Sequence, residues 1–136
     1  MDTLNPTDDD STCRRCDALN EVIDADGAMP MWVVECLNSI FSALADPTRL
    51  RIVHALVEND KLNVTGLADF AGLSVSAVSH QLRILRDRGL VRAQRDGRMV
   101  HYSLADDHLR RLFCTGVQHA HEDCTSSLRR EAERSA

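Results

Sequence analysis

Two short clusters bracket the last apolar-periodic stretch of the chain, Asp106-x-His108 at its start and His119-x-x-Glu122 at its end. Imidazole nitrogens and carboxylate oxygens together are donors that hold divalent cations. His119 and Glu122, at i and i+3, are neighbours on a helical face, and Asp106 can converge with His108 if it takes the non-helical cap position. His108 and His119 return almost to one face of a helix but stand about 16 Å apart along its axis, too far for one chain to close. If two copies of the helix pack antiparallel across a two-fold axis, each meeting of start and end assembles four ligands, and a dimer carries two equivalent sites. Two imidazoles and two carboxylates with no solvent ligand suit tetrahedral Zn²⁺, with Co²⁺ as a substitute, and are too hard to prefer Cd²⁺, Pb²⁺ or Cu⁺. The spacing alone leaves open a simpler arrangement, four polar groups on an exposed carboxy-terminal helix.

Further donors lie nearby and at the other end of the chain. His121 and Cys124 offer extra ligands for a site of higher coordination, such as one for Ni²⁺ or Co²⁺. Cys13-x-x-Cys16 is half of a thiolate site and needs two more ligands, which Cys124 or Cys36 of either subunit could supply. Five cysteines, an odd number, argue against a disulfide scaffold and for thiols in a reducing cytosol. Cys36 sits within an apolar stripe and reads as a small buried hydrophobe; Cys114, six residues from His108 and so on another face, reads as core or interface.

The second chemical feature is cationic. The net charge of -5, taken as a total, argues against a phosphate partner, yet the charge is polarised along the chain. Residues 1–30 carry eight acidic groups against Arg14 and Arg15, whereas residues 83–98 carry Arg83, Arg86, Arg88, Arg92, Arg95 and Arg98 against Asp87 and Asp96. Guanidinium groups grouped in this way fit phosphate oxygens, although a solvated arginine-rich face would have the same composition.

The elements that must position these groups follow from periodicity. With 136 residues, 43% hydrophobic and 27% charged, the chain is expected to bury one core and to be neither disordered nor collagen-like. No apolar run approaches the roughly 18 residues of a membrane span, and the acidic amino terminus is unlike a signal peptide, so a cytoplasmic location is expected. Residues 1–30 read as a flexible acidic arm with one short helical piece around Leu19 to Ile23. Trp32, Val33, Cys36, Leu37, Ile40, Phe41 and Leu44 have the spacing of an amphipathic helix ending near Asp46-Pro47. Proline then opens a second helix, with Leu50, Ile52, Val53, Leu56 and Val57 as its buried stripe, broken at Asn59-Asp60. Val64 to Phe70 forms a short helix, Ala71-Gly72-Leu73 a tight turn, and Ser74 the N-cap of a helix that carries Val75, Val78, Leu82 and Leu85 inward. Gly89 caps that helix. Two alternating runs, Leu90 to Arg95 and Met99 to Leu104, are joined by Asp96-Gly97 as a β-hairpin. A last helix begins near Asp106 and fades into a charged tail, residues 123–136.

This order is that of a mainly α protein with a small β-hairpin, a winged helix-turn-helix, in which the helix after the turn enters the major groove and the wing lies along phosphates. Ser74, Ser76, Ser79, His80 and Gln81 are the residues expected to approach bases, while Arg83, Arg86, Arg92, Arg95 and Arg98 are placed to pair with phosphates.

The sequence resembles the ArsR/SmtB metalloregulatory repressors through Ala45-Asp46-Pro47-Thr48-Arg49-Leu50-Arg51-Ile52, Ser76-Ala77-Val78-Ser79-His80-Gln81-Leu82-Arg83-Ile84-Leu85, Gly89-Leu90-Val91 and Arg95-Asp96-Gly97-Arg98-Met99-Val100-His101-Tyr102-Ser103-Leu104. The likeness spans about residues 31–122, which are taken as the winged-helix domain. It implies a homodimeric repressor on an inverted-repeat operator, dimerised through its first and last helices and released when an inducer binds. Asp106, His108, His119 and Glu122 match the family's last-helix sensing motif in full, which implies Zn²⁺ as inducer. In relatives that sense cadmium or lead, an amino-terminal cysteine arm meets cysteines in the helix before the turn; here Leu62 to Ala68 has none. Expected partners are double-stranded DNA and a second copy, with no membrane and no small-molecule substrate. A zinc enzyme is not expected, because the four-ligand set leaves no position for water and no nucleophile–base pair is evident. Two alternatives stay open: sensing of Co, Ni or soft metals with His121 or the cysteines, and a thiol switch built on Cys13, Cys16 and Cys124.

Overall fold

The structure is a computed structural model that describes residues 17–122 and 128–135. Two compact units are distinguished, one ending at Asn38 and the other beginning at Ser39. In the first, Asp17–Val22 forms α1, overlapping the helical piece expected around Leu19 to Ile23 but starting two residues earlier, and Met31 begins α2 (Met31–Leu44). Cys13 and Cys16 lie outside the described residues, as does Cys124.

The second unit takes its shape from well-formed caps. Asp46 is the N-cap of α3 (Pro47–Glu58): its Oδ1 accepts the Arg49 N–H at 2.9 Å, and Pro47 occupies the first turn, where no N–H is missed. Asn63 caps α4 (Val64–Ala71) in the same way through the Gly66 N–H at 2.8 Å. Gly72, at φ 67°, ends α4 in the left-handed region, and Ser74 then caps α5 (Val75–Asp87), so the turn expected between the two helices is present. At the far end of α5, Gly89 has φ 72°, the Leu90 N–H reaches Leu85 O and the Gly89 N–H reaches Arg86 O, a Schellman closure.

The hairpin follows, β1 (Val91–Asp96) antiparallel to β2 (Met99–Leu104), with Val91 opposite Leu104 and Asp96 opposite Met99. The two-residue turn is therefore Gly97-Arg98, one position later than the expected Asp96-Gly97. Gly97, at φ 62°, supplies the positive dihedral at the first turn position, and Asp96 closes the ladder instead of entering the turn. A single bridge, Leu62 with Tyr102, ties the hairpin back to the segment before α4. Then come α6 (Asp107–Glu122) and α7 (Leu128–Ser135). The expected charged tail is thus helical over eight residues, with an i,i+4 pair of 3.0 Å between Arg129 Nε and Glu133 Oε1.

The core joins Ile52, Ala55 and Leu56 of α3, Leu67 and Ala68 of α4, Val78, Leu82 and Leu85 of α5, and Leu90 and Val91. Several residues expected in the core fall outside it. Val75 is 51% exposed because it is the first residue of α5, ahead of the turn that meets the core. Leu50 is 40% exposed because it lies on the flank of α3 that faces the α6 groove rather than the core. Cys36 is exposed, on a helix whose one buried residue is Ala43. Cys114 is exposed too, which removes it from the core.

Candidate metal centre and nucleic-acid interface

Asp106 takes the cap position that convergence with His108 requires. Its Oδ1 accepts the Leu109 N–H at 3.1 Å, starting α6, and stands 3.6 Å from His108 Nδ1. The His108 side chain is largely open to solvent and that of Asp106 is half open, so their outer lone pairs can take a ligand. Eleven residues on, His119 and Glu122 share a face of the same unbroken helix, and Glu122 Oε1 accepts from Gln118 Nε2 at 3.2 Å. His121 is exposed beside them. The two clusters remain at opposite ends of α6, and among the described residues no three His, Cys, Asp or Glu side chains converge within one protomer. The donors present, a carboxylate and an imidazole at each end, fit half of a tetrahedral nitrogen–oxygen site at each.

Along α6 between these ends runs an apolar groove of about 390 Å³, formed with Phe41, Leu44 and Leu50 on one side and Leu112, Phe113 and Val117 on the other. No residue of α6 is buried, and Val117 is 53% exposed. An amphipathic helix with its apolar stripe left open is an element short of a partner.

The basic surface is built on α5 and the hairpin. Ser76, Ser79, His80, Arg83 and Arg86 are exposed on α5. Arg83 and Arg86, with Ser79, Asp87 and Tyr102, line a notch of about 550 Å³ between the helix and the wing, wide enough for a phosphate. Ser74 Oγ is engaged in the cap, accepting the Ala77 N–H at 3.1 Å. Gln81 is set apart from the others: it is half-buried, and its Oε1 accepts from Arg49 Nη1 at 3.1 Å. On β1 the side chains alternate, so Arg92 and Arg95 belong to opposite faces of the hairpin, with Arg98 at its tip. A ribbon with cations on both faces can meet phosphates on either side of a groove.

Three arginines that sequence reasoning did not place hold these parts together. Arg49 also donates to Ala43 O at 2.6 Å, joining α2, α3 and α5. Arg110 Nη1 donates to Val57 O at 2.6 Å, and its guanidinium pairs with Asp60 at 3.5 Å and Asp107 at 3.9 Å, seating the start of α6 on the end of α3. Arg88, the C-cap residue of α5, donates to Ser39 O at 3.2 Å and lines one groove with Asp106 and His108. Apart from the i,i+3 pair of Arg110 with Asp107, their partners are 6 to 53 residues away in sequence, so no local pattern marks them.

Comparison with known proteins gives this geometry a family. The profile of the bacterial regulatory protein arsR family matches residues 46–93, the segment from the α3 cap into the wing. The chain is 47% identical over 102 residues to the transcriptional repressor SmtB homolog of Synechocystis sp., covering 75% of this chain and 72% of that protein. It is 32% identical over 111 residues to the cadmium resistance transcriptional regulatory protein CadC of Listeria innocua, covering 82% and 91%. A homodimeric winged helix-turn-helix DNA-binding domain from Mycobacterium bovis superposes with a TM-score of 0.65 at 27% identity, covering 70% of this chain and 87% of that one. The relatives are transcription regulators, not enzymes, and among the described residues no helix is long and apolar enough to cross a membrane. By this sequence identity and this fold, the chain belongs to the ArsR family of winged helix-turn-helix transcriptional regulators.

Proposed function

We propose that the protein is a homodimeric repressor that binds an inverted-repeat operator and is released by Zn²⁺ held between protomers, by Asp106 and His108 of one and His119 and Glu122 of the partner subunit. The observation that carries this reading is the Asp106 cap, which brings a carboxylate within 3.6 Å of His108 at one end of α6 while the complementary pair occupies the other end. The open apolar stripe between them gives a second α6 a surface to lie on. The names of two relatives, a repressor and a cadmium resistance regulator, support a metal-responsive repressor, and the homodimeric neighbour supports the pairing.

In this mechanism α5 reads the major groove through Ser76, Ser79 and His80, while Arg83, Arg86, Arg92, Arg95 and Arg98 hold phosphates. When bound, the cation supplies a bridge that fixes one α6 against the other. Asp106 and His108 act from the start of α6 and line one groove with Arg88 and Gly89 at the foot of α5, so the metal-binding end of α6 lies close to the reading helix. A coupling of about 1–3 kcal/mol weakens DNA binding by roughly 5–150-fold, and DNA weakens metal binding by the same factor.

The test is a titration of the purified dimer on an inverted-repeat duplex with Zn²⁺, Co²⁺, Ni²⁺ or Cd²⁺, counting bound metal. Two Zn²⁺ or Co²⁺ ions per dimer, bound without thiolate absorption, are expected. His119→Gln is expected to bind the duplex as the unmodified protein does and to lose release by Zn²⁺. Retained release in that variant refutes the role of His119, and a thiolate absorption band shifts the site to the cysteines.

A further inference from the structure

The packing of α6 inside its own protomer falls on α3 and β2, and α3 in turn packs on both α4 and α5. A change in the pose of α6 therefore has a route across α3 to the helix-turn-helix, beside the one through β2 and β1. One α3 side chain has ring contacts on both sides of that crossing. The His54 imidazole lies nearly parallel to the Phe113 ring of α6, with centroids 6.2 Å apart and planes at 18°, and meets the Phe70 ring of α4 edge-on, at 5.5 Å and 64°. Both separations fall in the range of attractive ring pairs. Glu58, one turn on in α3, stands 3.6 Å from His54 Nε2 and limits how the ring can turn.

Two further features suit this contact to transmission. Phe113 is five residues from His108 and six from His119, so it lies midway between the two donor pairs, and a helix held at both ends cannot shift without carrying it. Beside it is a cavity of about 370 Å³ lined by His54, Val57, Glu58, Phe113, Cys114 and Val117, which leaves room for the Phe113 ring to take a second position. On the other side, Phe70 is two residues before Gly72, the left-handed residue that turns the chain into α5.

We infer that His54 is the positioning residue through which the pose of α6 biases the helix-turn-helix, its ring clamped between Phe113 and Phe70. The inference rests on the metal-release reading proposed above. It assigns His54 no contact with DNA or metal, so it separates coupling from binding.

The experiment compares the unmodified dimer with His54→Ala and His54→Phe, each measured on one inverted-repeat duplex with and without Zn²⁺, with bound zinc counted. His54→Ala is expected to keep its zinc stoichiometry and its metal-free DNA affinity within about twofold, while the factor by which zinc weakens DNA binding shrinks by about 3- to 10-fold. His54→Phe, which restores a flat ring, is expected to restore that factor. Should His54→Ala fail to fold, Phe70→Leu, at a half-exposed position, removes the outer ring and carries the same expectation. An unchanged zinc effect in His54→Ala, or a loss in His54→Phe as large as in His54→Ala, overturns the clamp and leaves metal release standing. No zinc effect in the unmodified dimer overturns metal release itself, and the clamp with it.

Discussion

Placing a carboxylate in the α6 groove tests the dimer on which the proposed metal site depends, and Val117→Glu is the substitution that does so most directly. Val117 is 53% exposed in the protomer, so about half of its side chain remains to be covered by a partner. Full burial of such a side chain contributes roughly 1.5–3 kcal/mol, which leaves about 1 kcal/mol to be gained on pairing. A glutamate there forfeits this gain and adds the cost of an unpaired carboxylate in an apolar contact, about 2 kcal/mol or more. Because the contact is two-fold, each term counts twice, about 6 kcal/mol per dimer or roughly 10⁴-fold in the dimer dissociation constant. The protomer itself is expected to survive, since no α6 residue is buried and glutamate is a better helix former than valine. Sedimentation across a concentration series reads the association, and far-UV circular dichroism with a melting curve reads the fold. Leu128→Glu on α7, a leucine 65% exposed and outside the groove, is the control and is expected to leave association unchanged. A Val117→Glu protein that stays dimeric to within tenfold of the unmodified chain would refute the assignment of this face and the assembly of ligands across it.

Other outcomes separate the roles of single groups. Asp106→Asn is expected to keep the α6 cap and so the melting temperature, yet to lose zinc release in a DNA-binding titration, whereas Asp106→Ala loses both, with about 1 kcal/mol of stability. Gly89→Ala is expected to cost about 1–2 kcal/mol, seen as a lowered thermal midpoint, through backbone strain alone, because φ is 72° and nothing lies within 4 Å of an added Cβ. Arg92→Gln and Arg95→Gln, on opposite faces of the wing, are each expected to reduce the slope of log affinity against log salt by about 1, measured by fluorescence anisotropy; an unchanged slope removes that arginine from the phosphate contacts.

Much of this architecture is legible in the sequence because its boundaries are chemical. Asp46-Pro47, Gly72, Ser74 and Gly89 each provide a cap or a backbone conformation that few other residues provide as well, and each is found doing so. The Asp106–His108 pairing is legible for the same reason, since a cap residue and the second residue of its helix are held together by local geometry. Periodicity is a weaker guide at edges. It counts Val75 and Leu50 as inward although one precedes the first full turn of its helix and the other faces a groove, and it treats Cys36 as buried on a helix that buries only Ala43. The hairpin turn is displaced by one residue because either Asp96-Gly97 or Gly97-Arg98 can place a glycine at a positive dihedral, and the ladder decides between them. Contacts such as Arg49 with Gln81, Arg110 with Val57 and His54 with Phe113 join residues far apart in the chain, and no short-range pattern encodes them.

The Ala105 N–H donates to Leu90 O at 3.0 Å, which clasps the two ends of the hairpin together. The chain leaves α5, runs out along the wing and returns to begin α6 beside its point of departure; Val91 stays in the core and Tyr102 is bridged to Leu62, so the exposed outer part of the hairpin, from Gln94 to Met99, forms an appendage on a closed stem. Its length and charge can change over evolutionary time to suit a different stretch of DNA without regearing the sensor to the reader.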